Sequence, residues 1–111
     1  MEVRAISKGI RLSAQKARPM AREICGLSVE KAIELLQFNV NKGSKCLLKT
    51  LDSAVANAET NENADIDELK VQEVWVNEGA TLKRVRARSQ GRRDMISKRT
   101  CHITVVVSDG E

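Results

Sequence analysis

Residues 82 to 100 read LKRVRARSQGRRDMISKRT, and the fold turns on this stretch. It holds eight basic side chains, Lys83, Arg84, Arg86, Arg88, Arg92, Arg93, Lys98 and Arg99, against one acid, Asp94. The segment carries +7 while the whole chain of 111 residues carries +4, which leaves about −3 for everything else. The positive charge is therefore concentrated in one place. On either side lie LKVQEVWV (69–76) and CHITVVV (101–107). Both are rich in β-branched residues, and Ile103, Val105 and Val107 alternate onto one face, so both read as strands. Ser89-Gln90-Gly91 is the strongest turn signal between them. Gly79 is a second break, where a bulge or bend would let an arm leave the body. The simplest expectation is one long antiparallel hairpin with its tip near Gly91.

Such a hairpin has an electrostatic problem. Pairing its strands is expected to bring Arg84, Arg86 and Arg88 close to Arg92, Arg93 and Lys98, and like charges across a ladder are destabilising. An isolated two-stranded ribbon is marginal even without that cost. Its large apolar residues are few: Leu82, Val85, Met95 and Ile96. The arm is expected to stand off its own body and to need an extended source of negative charge, which a nucleic-acid backbone supplies. A dozen residues per arm would reach roughly 40 Å at ~3.3 Å per residue. The bland alternative is a solvated basic loop.

The length suits one domain, residues 1–111, with a body of about 1–78 and 101–111 and an arm of about 79–100. Phe38 and Trp75 are the only aromatics, so the core is expected to be aliphatic. No apolar run is long enough to span a membrane, and the N-terminal residues lack a signal-peptide pattern. Cys25, Cys46 and Cys101 are odd in number and widely separated, and all three read as small buried thiols. Cys101 beside His102 does not read as a metal or nucleophile site, because neighbours on a strand point to opposite faces. With one histidine, no phosphate-binding Gly-rich loop and no carboxylate pair in an apolar setting, no catalytic residues, no metal and no cofactor are expected.

In chain order, residues 2–10 read as a first strand. Ser13 is expected to cap a helix that stops at Gly26, with Pro19 removing one ladder bond and kinking it. Lys16, Arg18 and Arg22 form a second basic set on this helix; a solvated face and a phosphate contact near the base of the arm stand level as readings. Ser28 caps a second helix, 29–38, with Val29, Ala32, Ile33, Leu36 and Phe38 as its stripe. A third helix, about 42–59, places Leu47, Leu48, Leu51, Ala54, Val55 and Ala58 in the core. Residues 59–68, ETNENADIDE, read as an acidic loop. Trp75 is expected to pack against a helix rather than stack on a base.

The segments SAQKAR (13–18), SAVANAE (53–59), ADIDELKV (64–71), LKR (82–84), ARSQGR (87–92) and KRTCHITV (98–105) occur in an order that resembles the bacterial large-subunit ribosomal protein twenty-two family over nearly the whole chain. The resemblance implies an α+β body, three helices on a three-stranded antiparallel sheet, with a long basic β-hairpin projecting from it. It further implies a structural, non-enzymatic constituent of the large subunit that binds 23S-type rRNA and aids assembly. Its partners would be that rRNA, neighbouring large-subunit proteins and, at the hairpin tip, the nascent polypeptide in the exit tunnel, with no membrane and no DNA. Its place would be on a cytoplasmic or organelle ribosome. Carried over by position, the tip is Arg88, Ser89, Gln90, Gly91, Arg92 and Arg93, and Lys83 and Arg84 fall in a part of the arm linked to macrolide resistance. Pro19, Gly43-Ser44 and Ser89-Gln90 depart from the family pattern. The rival reading is a free-standing β-ribbon regulator of nucleic acid.

Overall fold

Strand β1 (Glu2–Ile10) is followed by helices α1 (Ala14–Ile24), α2 (Val29–Phe38) and α3 (Lys42–Glu62), then by strands β2 (Lys70–Glu78), β3 (Leu82–Ala87), β4 (Arg93–Lys98) and β5 (Cys101–Ser108). This computed structural model describes residues 2–39, 41–62, 65–87, 91 and 93–109. The fold is α+β, as expected. Antiparallel strands in the order β1-β5-β2 form the main sheet, and β3-β4 form a separate two-stranded ribbon.

β5 is central because it is the most apolar strand. All its residues except His102 are buried, and it pairs with β1 on one edge and β2 on the other. α3 lies across β1 and β5, α1 packs on β2, and α2 closes the layer against α3. Leu47, Leu51, Ala54 and Ala58 recur at helical spacing and are fully buried against Ile103, Val105 and Val107. Each leucine buried in this way contributes roughly 1.5–3 kcal/mol. Gly43 has a packing role. A Cβ there would lie 3.4 Å from Leu12 Cδ2 and 3.6 Å from Ala17 Cα, so α3 begins in close contact with α1.

The helix ends follow local chemistry. Ser28 Oγ accepts from the Lys31 amide, capping α2. Gly26, at φ 89°, ends the α1 turn, and its amide donates to the Val71 carbonyl. Ser13 sits at the N-cap of α1 but makes no side-chain capping bond. Pro19 lies inside α1 on its exposed side, and the helix continues past it to Ile24.

Four expectations are corrected. α3 extends to Glu62, and a 3₁₀ turn follows at Ile66–Glu68, so 59–68 is not all loop. Ala58 anchors the helix in the core while its last turn is solvated, which hides the helix from an apolar-periodicity reading. Asp65 Oδ1 accepts from the Asp67 amide and sets up the short turn. Phe38, placed in the α2 stripe, is 89% exposed: nine residues past Val29 is about two and a half turns, so it lies on the helix face opposite the buried Val29, Ala32 and Leu36. Cys25 is exposed, since it sits where α1 stops; its Sγ lies 3.5 Å from the Gln72 carbonyl. Trp75 is 43% exposed on the outer face of the sheet. The reason is a register shift in β2 between Val71 and Glu73. The extra residue changes parity, so Val74 and Val76 face the helices and Trp75 faces out, beneath Arg4, whose guanidinium lies 5.7 Å from the ring centroid.

The core makes two predictions. Ser44 is fully buried and its Oγ has no hydrogen-bond partner, whereas the buried Thr50 hydroxyl bonds both the Cys46 carbonyl and Ser7 Oγ. Ser44→Ala removes an unsatisfied hydroxyl and improves helix propensity, so it should raise stability by about 1 kcal/mol in urea unfolding. A loss of stability would show that the hydroxyl is satisfied in solution. Burial, reinforced by nearby Cys46, raises the Cys101 thiol above its ordinary pKa. A thiol reagent at pH 8 should therefore modify Cys25 rapidly and Cys101 only after unfolding. Rapid modification of Cys101 in the native protein would contradict its burial.

Candidate nucleic-acid interface

The basic stretch forms the ribbon β3-β4, and its register resolves the electrostatic problem posed by the sequence. The Cα partners are Leu82↔Lys98, Lys83↔Ser97, Arg84↔Ile96, Val85↔Met95, Arg86↔Asp94 and Ala87↔Arg93. Every basic residue in this ladder thus stands opposite a residue that is not basic, and the lone acid stands opposite Arg86. The expected opposition of like charges is absent among these pairs, because the turn fixes a register that interleaves basic positions with neutral ones. Gly91, at φ 76°, takes the left-handed conformation the turn requires. Arg88, Ser89, Gln90 and Arg92 lie outside the described residues; Arg86 and Arg93 are placed by backbone register.

The ribbon does not fold back. β3 and β4 pack on each other and make no extended contact with a helix or with the main sheet. Val85 is 63% exposed, and Lys83, Arg84, Lys98 and Arg99 are all exposed. The molecule measures 61 × 25 × 17 Å, with a radius of gyration of 17.0 Å. A compact chain of this length would have about 13 Å. The excess is the projecting arm.

Where the arm meets the body, the long hairpin is interrupted. β2 stops at Glu78 and β3 starts at Leu82; β4 stops at Lys98 and β5 starts at Cys101. Across this gap the Gly79 amide donates to the Thr100 carbonyl at 3.0 Å, and Thr100 Oγ1 donates to the Ala80 carbonyl at 2.6 Å. His102 Nδ1 accepts from the Gly9 amide at 3.0 Å, where β1 bulges. Gly79 has no room for a side chain: a Cβ would lie 2.6 Å from Thr100 Oγ1 and 3.1 Å from the His102 ring.

Two clefts adjoin this root, and a third lies along the β2 edge. One, of about 490 Å³, is lined by Arg18 and Arg99 together with Glu78. Its neighbour, of about 540 Å³, is lined by Arg11, Lys16, Lys42, Lys98 and Arg99, with no acid. A third, of about 300 Å³, holds Arg18 and Arg22 beside Trp75 on the β2 edge. The second basic set is therefore divided. Lys16 joins the arm residues Lys98 and Arg99, Arg22 faces the Trp75 side, and Arg18 borders both regions with its Nη2 on the Val76 carbonyl at 3.2 Å. Arg11 and Lys42 were not among the sequence candidates. They lie far apart in the chain and meet because α3 crosses α1 at Gly43, which was the one available signal. Among the described residues, no cluster of histidine, cysteine and carboxylates suited to a metal ion occurs. No helix among them is long and apolar enough to cross a membrane.

Comparison with known protein families matches residues 5–108 to the family described as ribosomal protein L22p/L17e. The chain belongs to that family. It is a large-subunit ribosomal protein, and its family is one of structural constituents of ribonucleoprotein rather than of enzymes. For a ribosomal protein of this kind, RNA binding is typical.

The arm root gives a direct test. Gly79→Ala should cost about 1–3 kcal/mol in denaturant unfolding, because a β-branched side chain, an imidazole or the backbone must move to admit the methyl group. An unchanged midpoint would mean that the junction is looser than these distances state.

Proposed function

We propose that this L22p/L17e family member is an electrostatic clamp of the large rRNA. The observation that carries the reading is the arm: a strongly cationic ribbon held off the body, with a single acid, Asp94, against its eight basic residues. Arg84, Arg86, Arg88, Arg92, Arg93, Lys83, Lys98 and Arg99 would neutralise phosphates that RNA folding brings close together. Arginine suits this role because its planar fork pairs two phosphate oxygens. Lys16, Arg18 and Arg22 would extend the contact onto the body. Structured RNA is recognised largely through shape and backbone, so sequence readout is minor.

Family membership supports the finer assignment that the tip, Arg88 to Arg93, lines the nascent-peptide exit tunnel, and that the body lies against rRNA and neighbouring large-subunit proteins. The helices and main sheet hold the arm in place and are not themselves the reader.

The triple variant Arg84→Ala/Arg86→Ala/Arg88→Ala should weaken binding to large-subunit rRNA while leaving the unfolding midpoint of the body unchanged. The slope of log K against log salt should become shallower by roughly one unit per lost phosphate contact, about three in all. Filter binding between low and moderate salt measures it. An unchanged slope would mean that these arginines face something other than phosphate. Failure of the wild-type chain to sediment with the large subunit would return the free-standing β-ribbon regulator to first place.

A further inference from the structure

We infer that the acid-free cleft at the root of the arm is a docking site for a run of RNA phosphates, and that filling it fixes the angle between arm and body. The inference rests on the rRNA-binding reading above and names a site and a consequence within it.

The cleft has two walls from different parts of the molecule. Arg11, Lys16 and Lys42 come from the body, and Ser97, Lys98 and Arg99 come from the end of β4 and the residue that follows it. All five cations are exposed. Lys42 is oriented by a bond from its Nζ to the Arg11 carbonyl at 2.6 Å, which sets its ammonium beside Arg11. Ser13 also lines the cleft, with its hydroxyl not engaged in capping α1. A volume of about 540 Å³ suits a segment of sugar-phosphate backbone. The two walls cannot attract each other directly, since both are positive. A polyanion between them turns that repulsion into a bridge.

The bridge matters because little else fixes the arm. The ladder is interrupted between the walls, and the root hydrogen bonds there are Gly79 to Thr100 and Thr100 to Ala80. A pivot held by so few bonds, with like charges on both sides, has a range of angles in the free protein. RNA seated in the cleft selects one of them, so docking of the body and aiming of the arm become one event.

The test uses the full chain with spin labels at Cys25, on the body, and at Val85→Cys, on the arm, in a Cys46→Ser background where buried Cys101 stays unlabelled. Electron-electron distance distributions should be broad in the free protein and should narrow on binding transcribed large-subunit rRNA. The variant Lys16→Gln/Lys42→Gln should still bind rRNA, with a salt slope shallower by about two and a distribution that stays broad. Lys16→Arg/Lys42→Arg should restore both. Circular dichroism checks that each variant is folded. A free-state distribution already narrow, or a Gln variant that narrows like the wild type, overturns the inference. If no chain binds the rRNA at all, the functional reading fails instead, and the two failures are told apart by the binding curve.

Discussion

Positive charge gathered on one ribbon cannot be neutralised by the rest of this chain, and the architecture follows from that constraint. The acids lie mostly elsewhere, many at the end of α3 and in the turn after it. The ribbon carries one acid, and the register places it opposite Arg86. The ladder interleaves basic with neutral positions, so the ribbon pairs without placing like charges face to face. What remains is repulsion along the ribbon itself, which water and salt screen on an arm that stands in solvent. The body meanwhile obtains its stability from an aliphatic layer in which β5 is buried on both faces and α3 lies across it.

Body and arm thus solve different problems and meet at a narrow junction. Gly79 is required there by proximity to Thr100 and His102 rather than by an unusual backbone angle. Thr100 serves both sides, with its carbonyl taking the Gly79 amide and its hydroxyl reaching Ala80. The same junction gathers cations from α1, α3 and β4 that are remote from one another in the chain. A site for polyanion can arise in this way from topology, without any local motif.

Much of this was legible in the sequence. The basic stretch between two β-branched runs announced the ribbon, Gly79 and Gly91 marked its root and turn, and the helical spacing of Leu47, Leu51, Ala54 and Ala58 announced α3. Trp75 was expected to pack against a helix, as a lone strand tryptophan usually does, and a one-residue bulge in β2 turns it outward instead. The last turn of α3 was missed because only Ala58 anchors it, and polar residues that merely continue a helix leave no periodic trace. Phe38 was misplaced because it sits about half a turn out of phase with Val29, Ala32 and Leu36, on the opposite face of α2. At the candidate interface, the arm residues were evident from composition. Arg11 and Lys42 were not, because their meeting depends on the α1–α3 crossing, which no pairwise spacing encodes.

The interrupted ladder also bears on how such a protein can vary. The ribbon's hydrogen bonds form a sheet of their own, separate from the body's. Residues added to or removed from the ribbon in equal numbers on both strands would change its length without disturbing the order β1-β5-β2. Steps of two on each strand would keep the same side chains on the same faces, and steps of one would exchange the faces. Length is therefore adjustable in increments of about 7 Å, the rise of two residues. The residues of the junction at Gly79 and Thr100 would be the same in every case, and the ribbon beyond them is the part that can be resized.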